Sequence, residues 1–187
     1  LVECALLLRK RRDIVFTVYG ANPRPREFYG SLAGRACSAL GITRDAESDL
    51  RARVATSGLA DTLHLAGEVS AESDVFAKTD VLVFPSRMNG LGRSVFVAGI
   101  HGIPSVVSLW NRIEDIVEDG RTGPIVPERN PSALASAIAR LADDPEERER
   151  LGAAARAQFA YQFDPGRVAR QMLDVYRAAL ARRGRRH

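Results

Sequence analysis

The sequence predicts an α/β fold with a Rossmann-like open parallel sheet, helices on both faces and further helices appended at the C-terminal end. Short runs rich in β-branched and aromatic residues alternate with segments of helical apolar periodicity, which is the pattern of βαβ units. The central run, residues 80–86, is apolar throughout its middle, as expected of a strand buried on both faces of a parallel sheet. From Pro131 onward the pattern is helical only.

The predicted elements follow one another in a regular order. A helix over residues 1–8 precedes five predicted strands at residues 14–19, 62–66, 81–85, 104–108 and 124–126. A short helix is predicted over 74–78, and longer helical patterns cover residues 24–40, 44–56, 132–142, 144–159 and 164–181. In the last of these helices five apolar residues share one face, which predicts that the helix packs on another surface: Val168, Met172, Val175, Tyr176 and Leu180.

The length and charge of the chain favour one domain without a nucleic-acid interface. Its 187 residues predict a single domain over 1–181 followed by a basic tail at 182–187. The net charge is +4, and four arginines in the last six residues account for all of it. Because the rest of the chain is neutral overall, we expect no nucleic-acid partner.

The two ends and the cysteines set further expectations. Cys4 and Cys37 lack paired spacing, so neither a disulfide nor a zinc site is predicted, and a reducing cytoplasm fits this usage. The apolar opening is too short for a transmembrane segment. No methionine and no strand precede the first helix, which predicts a chain truncated at its N-terminus that lacks the first strand.

The stretch at residues 89–104 places a glycine-rich loop between an apolar strand and a short helix. Gly90 and Gly92 allow the backbone to approach a ligand closely, and Ser94 is predicted to cap the helix. The free N–H groups at a helix start attract anions, so the loop is a candidate phosphate site. The alternative is a tight strand-to-helix turn that binds nothing.

Four segments carry a family resemblance, and they are residues 65–69, 77–86, 89–107 and 113–127. In this order and spacing they resemble the C-terminal, donor-binding domain of the group 1 glycosyltransferases of the GT-B fold. The resemblance extends over residues 1–180. A generic Rossmann domain would not share the segment at residues 117–123 at this distance from the glycine loop.

The resemblance implies transfer of a sugar from a nucleotide-diphosphate sugar to an acceptor, with retention of anomeric configuration and without a bound metal or other cofactor. It implies that the base contacts backbone near Gly67 and that the diphosphate meets the glycine loop. The acceptor-binding domain, with its catalytic groups and phosphate-neutralising cations, would precede this chain, which would be inactive alone. The implied donor-binding residues are Gly67, Glu68, Val69, Asn89, Gly90, Leu91, Gly92, Arg93, Ser94, Val97 and Glu114.

Two positions depart from the family pattern, in which two glutamates separated by seven residues hold the donor. Asn89 and Val97 stand at these positions. Asn89 still has a donor and an acceptor, but Val97 has neither. Losing charge-assisted bonds to the ribose hydroxyls predicts donor binding weakened roughly ten- to a few hundred-fold. The alternative role of Val97 is to pack the helix onto the sheet.

Other polar residues also have two interpretations. Arg93 would partly replace the missing cations or would simply be solvated. Glu114 would contact the donor sugar or would stand in the first turn of a predicted helix at 113–118. His64 and His101 have no partner at motif spacing and are interpreted as structural.

Three functional hypotheses remain open at this point. The first is the donor-binding domain of a retaining glycosyltransferase. The second, which Val97 favours, is a degenerate, non-catalytic module that binds a nucleotide sugar or a partner protein. The third is a GT-B-like sugar-nucleotide epimerase.

Overall fold

The structure is a computed structural model that describes residues 1–20, 26–69, 72–86, 92–109 and 116–184. Within these ranges the strands are β1 (Phe16–Tyr19), β2 (Leu63–Gly67), β3 (Leu82–Pro85), β4 (Ser105–Leu109) and β5 (Ile125–Pro127). The helices are α1 (Val2–Leu8), α2 (Arg26–Gly30), α3 (Leu32–Ala39), α4 (Ala46–Thr56), α5 (Glu72–Phe76), α6 (Arg93–Ile100), α7 (Pro131–Asp143), α8 (Pro145–Gln162) and α9 (Pro165–Gly184).

The predicted α/β class is confirmed, since helices alternate with strands that pair in parallel. The described strands form two hydrogen-bonded sheets, with strand orders β1-β2 and β3-β4-β5. The chain divides into two compact units, each with one sheet. Unit 1 comprises Leu1–Lys78 and Asn130–Ala142, and unit 2 comprises Thr79–Arg129 and Asp143–His187.

Unit 1 is built around the pair β1 and β2. Phe16 lies opposite Leu63 and Val18 opposite Leu65, and the register shifts before Tyr19 pairs with Gly67. Helix α1 buries one face, because its buried residues recur at helical spacing. The largely buried apolar side chains of this unit include Val2, Leu8, Ile14, Phe16, Val54, Leu59, Leu63, Phe76, Leu134, Ile138 and Leu141.

Two titratable groups of unit 1 have shifted pKa values. Burial of Cys4 in α1 raises the pKa of its thiol to about 11, although the positive N-terminus opposes the shift. The Cys4 side chain is therefore a small buried apolar group rather than a nucleophile. Asp13 accepts two bonds from the Arg11 guanidinium at 2.9 and 2.6 Å, which lower the pKa of its carboxyl to about 2.

Unit 2 is built around β4, the central strand of its sheet. Leu82 of β3 pairs with Ser105 of β4, and on the other side Val107 of β4 pairs with Ile125 of β5. A cluster of Val95, Val107 and Val117 joins α6, β4 and the turn before β5 into one core. This packing holds α6 against its sheet.

Close helix packing in unit 2 depends on small residues. A Cβ added at Gly99 of α6 would overlap the ring of Phe159 of α8, so the two helices approach closely there. The Phe159 ring also contacts Phe96 edge-on, with 5.6 Å between ring centroids. A Cβ at Gly152 of α8 would overlap the carbonyl of Gly102. These contacts fix α6 from the side opposite its exposed face.

The structure corrects several sequence-based expectations. The helix predicted over 24–40 is two helices, because the Ser31 hydroxyl accepts from the Gly34 N–H (3.1 Å) and starts a new one. The helix predicted over 113–118 does not reach its predicted end, since Ile116 lies in a turn and Glu118 is not helical. Helix α9 continues to Gly184 and so includes part of the predicted tail.

The apolar face predicted for α9 is exposed rather than packed. Its five apolar residues expose 42–69% of their surface, and Leu180 exposes the most. The predicted amphipathic pattern is therefore present, but nothing in the described part of the chain buries it.

Candidate functional site

The start of α6 follows the carboxyl end of β3, where ligands bind in open parallel sheets. Gly92 is the N-cap residue, with an extended backbone (φ −70°, ψ 156°), and its carbonyl accepts from the Val95 N–H at 3.0 Å. A Cβ at Gly92 would lie 2.7 Å from the Phe84 ring of β3. The lack of a side chain at Gly92 therefore lets the helix start lie against the strand that precedes it.

The predicted cap at Ser94 is wrong. Helix α6 begins at Arg93, so Ser94 lies inside the first turn, and the Gly92 cap makes no side-chain hydrogen bond. The extended backbone ends at Gly92, two residues earlier than the serine pattern indicates, and a glycine at this position leaves room for the Phe84 ring. The Val95 N–H is used by the Gly92 carbonyl, and N–H groups at a helix start that lack an acceptor within the helix can be used by a ligand anion.

Helix α6 has an inward face and an outward face. Val95 and Ala98 are almost fully buried against the rest of unit 2. Val97 is only half-buried and lies one turn from the exposed residues Arg93 and Ile100. Val97 is therefore less buried than Val95 and Ala98 but is not exposed like Arg93 and Ile100.

In the segment at residues 117–125, which we call the signature turn, two polar side chains accept backbone N–H groups of the segment itself. The Glu118 N–H donates to the Thr122 hydroxyl (2.9 Å), and Thr122 is only 2% exposed. The Ile125 N–H donates to the Asp119 carboxylate at 2.8 Å. A Cβ at Gly123 would overlap the Ser105 carbonyl, so the turn lies directly on β4.

The residues predicted to lie near the base stand at the carboxyl end of β2 in unit 1. Gly67 has a left-handed backbone (φ 75°), and its carbonyl accepts from the Gly20 N–H at 2.8 Å. Glu68 and Val69 follow it with exposed side chains. The backbone of Gly67, Glu68 and Val69 therefore lies at the carboxyl end of β2, and its contact with the base stays a prediction.

Four of the predicted donor-binding residues lie outside the described residues: Asn89, Gly90, Leu91 and Glu114. For the remaining implied donor-binding residues, the structure gives the positions described above, and donor binding by them stays a prediction. His64 in β2 and His101 after α6 are both exposed, so neither is a buried structural histidine.

Sequence reasoning missed Phe84, whose ring supports Gly92 and belongs to the hydrophobic surroundings of the Val95 cluster. The available signal was an aromatic residue in an apolar strand next to a glycine loop, although β3 is only partly buried and not buried on both faces as predicted. In the described part of the chain, no three His, Cys, Asp or Glu side chains form a metal-binding group. No helix among the described residues is long and apolar enough to span a bilayer.

Known proteins resemble this chain in both sequence and structure. A D-inositol 3-phosphate glycosyltransferase of Streptomyces griseus is 37% identical over 74% of this chain and 30% of its own length. The C-terminal domain of a group 1 glycosyl transferase from Francisella tularensis superposes with a TM-score of 0.66 at 18% identity, covering 87% of this chain and 76% of that domain. Anabaena HepE, solved in complex with UDP, superposes with a TM-score of 0.68 at 18% identity, covering 94% and 52%.

This chain matches only part of each of its longer relatives. The chain spans 30–40% of the length of the curated relatives it matches first, an alpha-D-kanosaminyltransferase of Streptomyces kanamyceticus among them. The family model described as glycosyl transferases group 1 matches residues 1–144. The segments that carry the sequence resemblance all lie within this range, and the fold agrees with it. The chain belongs to the group 1 glycosyl transferases.

Proposed function

We propose that the chain is the donor-binding domain of a retaining glycosyltransferase, which binds a nucleotide-diphosphate sugar for transfer to an acceptor. The start of α6 carries this proposal, because Gly92 brings the first helical turn against β3 at the carboxyl edge of the sheet. First-turn N–H groups stabilise the negative charge of a diphosphate, both bound and departing. The predicted donor-binding loop stands immediately before it in sequence.

The proposal includes three further points. Acceptor binding and the catalytic groups belong to a domain outside this chain, so the chain alone binds donor without transferring sugar. Donor binding needs no metal, because helix N–H groups and Arg93 supply the favourable electrostatics. The protein acts in the cytoplasm, in keeping with its two free cysteines.

Calorimetric titration with UDP-, GDP- and ADP-sugars tests donor binding directly. We expect one of them to bind in the millimolar range or tighter, with an affinity that EDTA leaves unchanged. Binding of none at millimolar concentration contradicts the proposal, and loss of binding in EDTA contradicts the metal-free mode. Incubation of the chain with the bound donor and candidate acceptors should give no glycoside.

A second function is favoured by Val97, which places an apolar group where a carboxylate is expected. In this alternative the chain is a degenerate module that kept the fold and binds a nucleotide sugar or a partner protein without catalysis. Arg93→Ala tests whether the start of α6 holds the diphosphate: donor affinity should then fall about ten-fold, whereas a module that binds only a partner protein has no donor affinity to lose. Arg121→Ala, which removes the same charge from the signature turn, is the matched control.

An epimerase of related architecture is the third candidate. The same donor titration, followed by analysis of the sugar after incubation, distinguishes it. An altered sugar on the nucleotide would replace the transferase proposal.

A further inference from the structure

Helix α9 has an exposed apolar face along most of its length. The residues of this face recur at the i, i+4, i+7, i+8 and i+12 spacing of one side of a helix, and they are Val168, Met172, Val175, Tyr176 and Leu180. Every side chain from Val168 to Ala181 is exposed, so the described part of the chain does not bury this face. Removing apolar surface from water is favourable, and a continuous apolar face therefore indicates a site for a partner.

The opposite face of α9 is basic. Arg167, Arg170 and Arg177 lie on it with one acidic residue, Asp174, which accepts from the Arg177 guanidinium at 3.2 Å. The side chain of Arg170 lies 4.0 Å from the Asp164 carboxylate. Both Arg170 and Arg177 nevertheless expose about three-quarters of their side chains, 74% and 75%. Their positive charges are therefore accessible to a partner.

The basic character of α9 continues to the end of the sequence. Residues 165–187 contain seven arginines and one acidic residue. The rest of the chain contains slightly more acidic than basic residues, so this segment supplies the whole net charge of +4. The positive charge of the protein is thus concentrated on the segment that also carries the exposed apolar face.

The combination of these two faces identifies the chemistry of the partner. A nucleic acid would neutralise the arginines but would leave the apolar face in water. A bilayer that contains anionic lipids satisfies both faces, because its headgroups carry negative charge next to an apolar interior. Tyr176 suits this boundary with its apolar ring and polar hydroxyl, and the long arginine side chains reach back to the level of the headgroups.

We propose that α9 binds the surface of an anionic bilayer and lies in its plane. The apolar face enters the boundary between headgroups and acyl chains, and the arginines contact the lipid phosphates. From Val168 to Leu180 the apolar face extends about 18 Å along the helix axis, which provides an elongated contact parallel to the membrane. No residue of α9 belongs to the candidate donor site, so this interaction does not depend on the proposed function.

Co-sedimentation of the full 187-residue chain with lipid vesicles tests the proposal. We expect binding to vesicles of phosphatidylcholine and phosphatidylglycerol in equal parts, little binding to phosphatidylcholine alone, and weaker binding in high salt. Equal binding to both kinds of vesicle overturns the proposal, because the arginines would then contribute nothing. Binding to neither overturns it in favour of a protein partner, and sedimentation without vesicles overturns it in favour of a second copy of this chain.

Leu180→Gln and Ala178→Gln form a matched pair for the apolar face. Both place an uncharged amide at an exposed position of α9, but Leu180 belongs to the apolar face and Ala178 lies on the opposite one. Leu180→Gln should weaken binding to the mixed vesicles about ten-fold. Ala178→Gln should change it by less than about two-fold, since alanine and glutamine both favour helix. Equal effects of the two variants overturn the assignment of the apolar face to the membrane.

Arg170→Gln tests the basic face. It removes one accessible charge and should weaken binding to the mixed vesicles about five-fold, with a smaller loss in high salt. Unchanged binding would contradict the contact between the arginines and the lipid phosphates. Circular dichroism checks that each variant keeps the helix content of the unmodified chain.

Discussion

The signature turn and the start of α6, residues 92–97, both lie in unit 2, and each contains a glycine within a segment that carries the family resemblance. They differ in whether their side chains form hydrogen bonds with the local backbone. In the signature turn, the hydroxyl of Thr122 and the carboxylate of Asp119 each accept a backbone N–H of the turn itself. At the start of α6 the cap makes no side-chain hydrogen bond, and the residues on the outward face stay accessible. Side chains of the first segment therefore bond its own backbone, whereas no side chain caps the backbone at the start of the second.

This difference separates fold from function within one family resemblance. A segment whose polar groups are used within the protein identifies the fold, and its replacement should change stability rather than binding. A helix start without a side-chain cap leaves N–H groups for a ligand, and its replacement should change binding more than stability. Four substitutions test this division, beginning with the largest expected effect.

Gly123→Ala should destabilise the protein most. The new Cβ would overlap the Ser105 carbonyl in the central strand of the unit 2 sheet, and backbone cannot move aside as a side chain can. We expect the free energy of unfolding to fall by about 3 kcal/mol, measured by urea denaturation.

Gly120→Ala is the control for Gly123→Ala within the same turn. Gly120 has φ 71° with no atom within 4 Å of an added Cβ, so only its conformation is strained. This strain should cost about 1 kcal/mol. Equal losses in the two variants would show that the close approach to β4 contributes nothing.

Thr122→Val should lower the free energy of unfolding by about 1–3 kcal/mol, because it leaves the Glu118 N–H without its acceptor. The substitution keeps the shape of the side chain. Amide hydrogen exchange at Glu118 should accelerate in Thr122→Val and stay slow in Thr122→Ser, which keeps the hydroxyl. Nucleotide affinity should not change in either variant, and a loss of affinity would place the signature turn in the binding site.

Gly92→Ala should lower nucleotide affinity more than it lowers stability, the opposite of what is expected in the signature turn. The new Cβ meets a ring of Phe84, which can rotate, so the loss of stability should stay below about 1 kcal/mol. The start of α6 would shift, however, and calorimetry should show nucleotide affinity lowered about ten-fold. Unchanged affinity would contradict the placement of the diphosphate at this turn, and Gly120→Ala again serves as the control.

The sequence predicted the order of elements well because local chemistry decides most of them. Asp144 and Asp164 each precede a proline and accept the N–H three residues later, at 2.9 and 2.7 Å, so both helix starts were predictable. The short apolar runs located all five strands to within two residues. The strand ends differ because hydrogen-bond register, rather than composition, terminates a strand.

The candidate site was less predictable, because tertiary contacts decide it. Ser94 has the right residue type for a cap, yet the cap is Gly92, where an added side chain would meet the Phe84 ring. Val95, Val97 and Ala98 are all of core residue types, yet the rotation of α6 about its axis buries Val95 and Ala98 almost fully and Val97 only partly. Neither the ring contact nor the helix rotation can be read from neighbouring residues in the sequence.

The smallest effect on stability is expected at the exposed pair of Arg11 and Asp13, which lies outside both segments. Its size measures how much a surface ion pair contributes to stability. The carboxyl of Asp13 has its pKa lowered to about 2 in the folded chain, from an ordinary value of 3.8. Well above pH 4 the carboxylate is ionised in both states, so the pair stabilises the fold fully. As the pH falls through the unfolded value of 3.8 towards 2, the unfolded chain takes up the proton first and this contribution is lost.

Asp13→Asn should therefore lower the melting temperature slightly at neutral pH, and the difference from the unmodified chain should disappear between pH 4 and pH 2. Thermal unfolding followed across this range measures it, and added salt should reduce the difference at neutral pH because the pair is exposed. A difference that persists at pH 2 would show that Asp13 acts through its backbone conformation. If Asp13→Asn lowered the melting temperature as much as Thr122→Val does, solvent-exposed and internally bonded polar groups would contribute equally to stability. That result would contradict the comparison between the two segments.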